Sequence, residues 1–299
     1  MLNASRGPWP DPVSASATDG VARGWYLYGV TRNGHLAAVL AELEVTTQPG
    51  DTAPVVSGEA GPVQLFEFSG LAAVVRPVFL SDFSPAVVRE RLQDASALEE
   101  TVRSHNRVVE AIHAAQAILP AKFGMVYSRT EDVVSALQPE HNAFLEQLAR
   151  VEGCDEWAIH LFANAAVVQQ RISTEDPDVQ RLRLQHASAR PGRAYFLERQ
   201  LADAVKAATR QQLVICAQNV FDQLMTRAVA GHMSPMGPTP DGDGEMEILR
   251  ASFLVARDLT DGFTAEVAAI AESSEGLRCE SSGPWPPYSF AATDVEELA

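Results

Sequence analysis

Residue types that do chemistry are present in this chain, but not at spacings that couple them. His105 and His113 stand eight apart on one predicted helix, and His35, His141, His160, His186 and His232 are scattered. Zinc binding on a helix needs two histidines at i and i+4, as in H-E-x-x-H, and no such pair exists. Cys154, Cys216 and Cys279 lie far apart without a C-x-x-C, which is neither a disulfide framework nor a zinc ribbon. The acidic run from Asp241 to Glu245 spaces its carboxylates like the start of a calcium loop. Its sixth position is Met246, where the turn of an EF-hand loop requires glycine, and the closing glutamate is missing. The adjacent carboxylates Glu99-Glu100 and Glu296-Glu297 fall on a helix surface and in a tail, not in an acid/base couple. Neither a Gly-Lys-Ser/Thr phosphate loop, nor a G-x-G-x-x-G after a strand, nor a G-x-S-x-G elbow occurs. The sequence therefore offers no catalytic residues, no cofactor site and no metal site, and it predicts a protein that is not an enzyme.

One charge stands out against its surroundings. Lys122 sits in the apolar run Ile118 to Tyr127, where a buried cation is costly unless paired. Two readings are open: a strand-end lysine reaching solvent, or a partner for Glu110 or Glu131 that ties helix to sheet.

The elements that would position these residues follow from periodicity. Trp25 to Val30 is aromatic and aliphatic enough for a buried strand. Val63 to Phe68 and Leu71 to Val75, joined by Ser69-Gly70, predict a hairpin, and Ser81 or Ser84 can cap a helix through Leu92. Leu98, Val102, Val109 and Ile112 have helical spacing, ended by Pro120. Ile118 to Tyr127 then reads as a strand with Gly124 marking a bulge or a close backbone approach. A helical block from Thr130 to Leu148 is interrupted at Pro139.

Glu152-Gly153 marks a predicted domain boundary. Beyond it come a strand at Trp157 to Phe162, a polar stretch around Asp176, Pro177 and Pro191 read as loop or marginal helix, and a long amphipathic helix through Leu197 to Cys216. Residues 225 to 229 read as a possible strand, 231 to 244 as a breaker-rich loop, and Met246 to Ala256 as a strand. Asp261 then caps a helix through Ile270, and Leu277 to Glu280 is the last strand. The order strand, helix, strand, strand, helix, strand suggests a ferredoxin-like α+β sandwich. The expected architecture is α+β in two domains. Residues 1–22 form a flexible leader and 23–152 an N-terminal α/β domain with a small mixed sheet. Residues 153–291 form a C-terminal modified ferredoxin-like domain, and 292–299 a tail.

The chain of 299 residues carries a net charge of −16, which argues against a nucleic-acid partner, because phosphate binding needs clustered Lys and Arg. No apolar run reaches the length of a membrane span, and the sparse cysteines suit a reducing compartment, so the sequence reads as soluble and cytoplasmic. Gly283 to Phe290, with three prolines in four positions, predicts a stiff extended exit from the last strand that carries Trp285 and Tyr288 as anchors onto the C-terminal domain. Gly7-Pro8-Trp9-Pro10 repeats Gly283 to Pro286.

Five segments in order carry a resemblance: Trp25 to Val30 with Tyr28 and Gly29, Gly70 to Val75, Leu119 to Gly124 with Lys122, Phe123 and Gly124, Gly192 to Leu197 with Tyr195, and Gly283 to Phe290 with Trp285, Pro287 and Tyr288. Together they resemble the gas vesicle protein F/L family over about residues 24 to 291. Two positions depart from it: Asn106 follows His105 where the family usually has Glu, and Lys122 stands where Arg is more usual, so a salt bridge there would be weakened. The resemblance implies the two-domain fold, with those motif residues in structural or partner-contact roles. It also implies a non-enzymatic accessory protein, in the cytoplasm and at the gas vesicle, that binds the main hydrophobic shell protein and assists nucleation or assembly. Other accessory proteins are further implied partners, and retention as a minor vesicle component is the variant of that role. The alternative is a ferredoxin-like small-molecule sensor or enzyme.

Overall fold

The computed structural model describes residues 22–34, 36–45, 61–91, 93–235, 244–273 and 276–291. The leader, the tail and most of the 231 to 244 loop lie outside them. The chain is a mixture of helix and strand with two sheets, and it forms two compact units. One runs through Asp155 and resumes at Trp285, and the other spans Glu156–Pro284.

In the first unit, β1 (Arg23–Arg32), α1 (Ala37–Val45), β2 (Gln64–Phe68) and β3 (Leu71–Phe79) are followed by α2 (Pro85–Arg91), α3 (Ala95–Ala115), β4 (Ile118–Pro120) and β5 (Val126–Tyr127). The helices α4 (Thr130–Leu137) and α5 (His141–Val151) complete it. The sheet order is β2-β3-β1-β4, with β5 also on β1. The hairpin forms where expected: Ser69 at φ 47° and Gly70 at φ 84° supply the paired positive φ of a tight two-residue turn. Every pairing in this sheet is antiparallel, so the expected mixed sheet is corrected to an antiparallel one. β1 is buried continuously from Tyr26 to Thr31, because α3 as well as α4 and α5 pack on it and both side-chain parities are covered. The pairing of β1 with β3 slips between Leu27 and Gly29. A side chain at Gly29 would stand 2.5 Å from the Leu119 carbonyl oxygen of β4.

The expected single strand from 118 to 127 is two short strands. Gly124 adopts φ 86°, a left-handed turn conformation that no extended strand can contain, and the chain loops out from Ala121 to Met125. Pro139 falls in a 3-10 turn between α4 and α5, as its missing amide requires.

The second unit contains β6 (Cys154–Asn164, from Glu156 onward), α6 (Ala165–Glu175), α7 (Pro177–Ala187), α8 (Pro191–Met225), β7 (Ala230–Met233), β8 (Glu245–Ala256), α9 (Thr260–Ser273) and β9 (Leu277–Trp285, up to Pro284). The sheet order is β7-β8-β6-β9. Strict alternation along β6 turns Trp157, Ile159, Leu161 and Ala163 into a core shared with Phe253, Phe263, Val267 and Ile270. α8 buries Val205, Thr209, Leu213, Ala217, Val220 and Leu224, a row at spacings of three and four.

In this unit the structure decides two readings that the sequence left open and extends one strand. The polar stretch 165–187 is two helices, each started by a side-chain cap: Asn164 accepts from the amides of Ala166 and Val167, and Asp176 from those of Asp178 and Val179. Pro177 sits in the first turn, where its missing N–H costs nothing, so it starts a helix. Helix α8 continues through Met225, and the strand placed at 225 to 229 begins at Ala230. β9 extends to Trp285, so the proline-rich exit is itself the end of a strand. Asn164→Ala is expected to cost about 1 kcal/mol, read as a lower urea midpoint, because two amides of α6 lose their acceptor.

Candidate functional site

Five of the ten motif residues, Tyr28, Lys122, Phe123, Gly124 and Tyr288, converge in the first unit. β1 delivers Tyr26 and Tyr28, α3 delivers His105 and Asn106, the loop after β4 delivers Lys122, Phe123 and Gly124, and the turn Tyr288–Phe290 closes over them. They surround a cavity of about 330 Å³ lined by Val102, His105, Asn106, Pro120, Lys122 and Tyr288 among others.

His105 is the hub. It is 2% exposed, and its ring stacks on Tyr28 at 5.4 Å, with Phe123 edge-on at 5.7 Å. The Tyr26 hydroxyl lies 2.9 Å from His105 Nδ1, and it accepts the Gly124 amide at 3.2 Å. A phenol oxygen that accepts the amide can still give its own proton to Nδ1, which puts the imidazole hydrogen on Nε2; in the other tautomer Nδ1–H donates to the same oxygen. Nε2 has no hydrogen-bond partner among the described residues. Burial pushes the His105 pKa down to about 4 and the Tyr26 phenol well above its usual value. Both shifts favour the uncharged forms, so near pH 7 the pair is a neutral hydrogen-bonded clasp. Tyr26→Phe removes both bonds at once and is expected to cost about 1–3 kcal/mol in urea unfolding.

The two family departures meet in this cavity. Asn106 Oδ1 accepts the Tyr288 hydroxyl at 2.8 Å, so the amide holds the C-terminal turn. Lys122 is exposed, and among the described residues neither Glu110 nor Glu131 pairs with it, so the solvent-reaching reading holds. Tyr288 packs with Tyr26, Tyr28 and Val109 of the first unit. The expectation that it anchors onto the C-terminal domain is corrected accordingly. Pro287 is buried next to it, and Trp285 is 42% exposed, which removes the indole from the core. Gly29 sits at the β1 irregularity and Gly70 in the hairpin turn. Tyr195 lies elsewhere, on α8, 64% exposed and edge-on to Phe196 at 5.8 Å.

The sequence reading missed Tyr26 and His105 as site members. A signal existed: His105 falls three residues after Val102 and four before Val109, on the buried stripe of its helix.

Among the described residues of the second unit the carboxylates of Glu156 and Glu247 are buried. Glu247 accepts from both Arg250 Nε at 3.0 Å and Nη2 at 2.7 Å, and lies 2.7 Å from His160 Nδ1. Burial works to raise its pKa, but the bonds to Arg250 and His160 outweigh that and hold it below the usual carboxylate range. Glu245, from the acidic run, pairs with Arg278 at 2.9 Å. Among the described residues no group of three His, Cys, Asp or Glu could hold a metal ion, and no helix is long and apolar enough to cross a membrane.

These features define an α+β protein with two sheets whose most elaborate cluster is a neutral aromatic seat closed by its own C-terminal turn. The chain belongs to the gas vesicle synthesis protein GvpL/GvpF family, whose model matches residues 24–292. It is 29% identical to gas vesicle protein L of Streptomyces sp. (strain CB03234), over 81% of this chain and 87% of that one. It is 26% identical to gas vesicle protein F of the same strain, over 89% and 98%. The crystal structure of the gas vesicle protein GvpF from Anabaena sp. PCC7120 superposes with a TM-score of 0.61 at 20% identity, covering 90% of this chain and 96% of that one, which establishes a shared fold.

Proposed function

We propose that this chain is a non-enzymatic accessory protein of gas vesicle formation that binds the main hydrophobic shell protein and assists its nucleation and assembly. The observation that carries this reading is the family match along almost the whole length, residues 24–292. The clasp around His105 supports it, because its groups are neutral and fixed where a catalytic centre would need groups that titrate near neutrality. The architecture we assign to the role is an N-terminal α+β domain over 23–152 and a ferredoxin-like domain from 153. The strand order β7-β8-β6-β9, with helices between β6 and β7 and again between β8 and β9, supports the second assignment. The protein acts in the cytoplasm and at the vesicle, where other accessory proteins are further partners.

The test is co-expression with the shell protein and affinity capture of the complex, together with deletion of the gene. Co-capture and a loss of vesicles are expected. No association while both proteins stay soluble, with normal vesicles in the deletion strain, would overturn the proposal. The amount of protein left in washed vesicles separates a released chaperone from a retained component.

A further inference from the structure

We propose that the solvent-facing side of α8, from Tyr195 to Val214, is a docking surface for an acidic amphipathic helix of a protein partner. The first support is charge. Residues 181–210 hold seven Lys and Arg against two Asp and Glu, which leaves 16 against 37 of the chain's 23 and 39 for all the rest. A strongly acidic protein thus concentrates a cationic island on one helical hairpin. All seven basic side chains are exposed. Arg181 pairs with Asp178 at 2.8 Å, and the other six make no ion pair among the described residues.

The second support is the apolar surface set among those charges. Phe196 is 72% exposed, Tyr195 64% and Val214 64%, which is unusual for side chains of this size on a helix whose opposite face is already buried. Tyr195, Phe196, Arg199, Lys206, Arg210 and Val214 are all exposed within about a third of the helix circumference, with Asp203 among them, and the buried Thr209 and Leu213 border the lower half of this face.

The third support is shape. Lys206, Arg210, Leu213 and Val214 form one wall of a mainly apolar cavity of about 590 Å³, with Met246, Glu247 and Ile248 of β8 on its lining, the Glu247 carboxylate being held by Arg250. The face is about 28 Å long at 1.5 Å per residue, the length of a five-turn helix. An occupying helix would place apolar side chains in this groove and against the Tyr195-Phe196 pair. Carboxylates three, four or seven apart would meet Arg199, Lys206 and Arg210. A polyphosphate fits less well, since it has no apolar side to set against Phe196 and the groove.

The inference does not depend on the gas vesicle role. The test uses the full-length chain and a fluorescein-labelled synthetic peptide of Glu, Leu and Ala, patterned as an amphipathic helix, with a counterpart carrying Lys for every Glu. Fluorescence anisotropy is expected to show binding of the Glu peptide, weakened by salt, and none of the Lys peptide. The triple variant Arg199→Glu, Lys206→Glu, Arg210→Glu is expected to lose the Glu peptide by at least about tenfold and to gain the Lys peptide. Phe196→Ser is expected to weaken the Glu peptide without inverting the preference. Circular dichroism confirms that each variant is folded. Binding of both peptides alike, or an unchanged affinity in the triple variant, overturns the proposal. So does tighter binding of duplex DNA or phosphatidylglycerol vesicles, which would give the face to a polyanion. Dimerisation of the unmodified protein in sedimentation that the triple variant abolishes also overturns it, because the face would then belong to a second copy. Capture of the shell protein by the triple variant tests the functional reading separately.

Discussion

Acidification from about pH 6.5 to pH 4 is expected to remove about 3 kcal/mol of folding stability from the unit built on β1, and a His105→Gln chain is expected to lose that much less over the same range. The cause is the displacement of the His105 pKa from 6.5 to about 4 by burial. In an unfolded chain the imidazole takes up its proton near pH 6.5, whereas in the folded chain it stays neutral until about pH 4. Between those values the unfolded state binds more protons, so stability falls as pH falls, at about 1.4 kcal/mol per unit. Above pH 6.5 both states are neutral and the contribution is complete; below pH 4 both are charged and no more is lost. The groups facing the ring are Tyr26, Tyr28, Phe123 and Tyr288, with Lys122 on the cavity wall, and no carboxylate is among them. Carboxylates elsewhere also titrate in this window, so the informative quantity is the difference between the two proteins. Glutamine retains an acceptor for the Tyr26 hydroxyl and does not titrate. Urea unfolding at several pH values from 7 to 4 measures it, and parallel curves for the two chains would show that His105 is not held neutral by the fold.

The same residue illustrates what a sequence can disclose. Its place on the inner stripe of α3 is local information, readable from Val102 and Val109. Its partners come from β1, from the loop after β4 and from a turn 183 residues downstream at Tyr288, and no spacing rule links those segments. The elements themselves were legible wherever one signal dominated. Aromatic content marked β1, a Ser-Gly pair marked the hairpin, and apolar positions at three and four marked α3 and α9. Where two signals competed, the sequence left both open. The stretch around Asp176, Pro177 and Pro191 suits a loop as well as a marginal helix, and its apolar residues are too sparse to decide between them. Gly124 was read as a bulge or a close backbone approach, yet it sits in a loop at φ 86° with nothing within 4 Å of an added carbon, because a glycine in an apolar run does not reveal whether its φ is extended or positive. Only the Tyr26 hydroxyl that receives its amide gives the turn a purpose. The basic face of α8 was invisible for another reason: a net charge summed over the chain hides a local excess of the opposite sign.

Gly283→Ala is expected to be among the most damaging single-methyl changes in the chain, at about 4 kcal/mol. Gly283 has φ 149°, outside the range that side-chain-bearing residues adopt readily. A methyl group there would stand 2.9 Å from the Glu156 carbonyl oxygen and 2.9 Å from the Trp157 ring. Neither neighbour can yield cheaply. Glu156 O belongs to the backbone of β6, which is flanked on both sides in its sheet, and Trp157 is 8% exposed with its ring against Phe263 at 6.2 Å. Backbone strain of about 1–3 kcal/mol and overpacking of about 1–3 kcal/mol therefore act together. Gly70→Ala is the control, since Gly70 is also at positive φ but has nothing within 4 Å of the added carbon, and about 1–2 kcal/mol is expected from conformation alone. Trp285→Ala is expected to cost less than the 3–5 kcal/mol of a buried aromatic, because 42% of Trp285 already faces solvent. Denaturant midpoints of the three variants rank them. If Gly283→Ala unfolds with Gly70→Ala, then β9 can draw away from β6 at this point, and the close backbone approach contributes little to stability. If Trp285→Ala proves the worst of the three, the motif is held by its aromatic anchor and the glycine is incidental. The expected order instead puts the structural weight of Gly283 to Phe290 on the residue with no side chain, and on Tyr288, whose hydroxyl reaches Asn106 in the other half of the clasp.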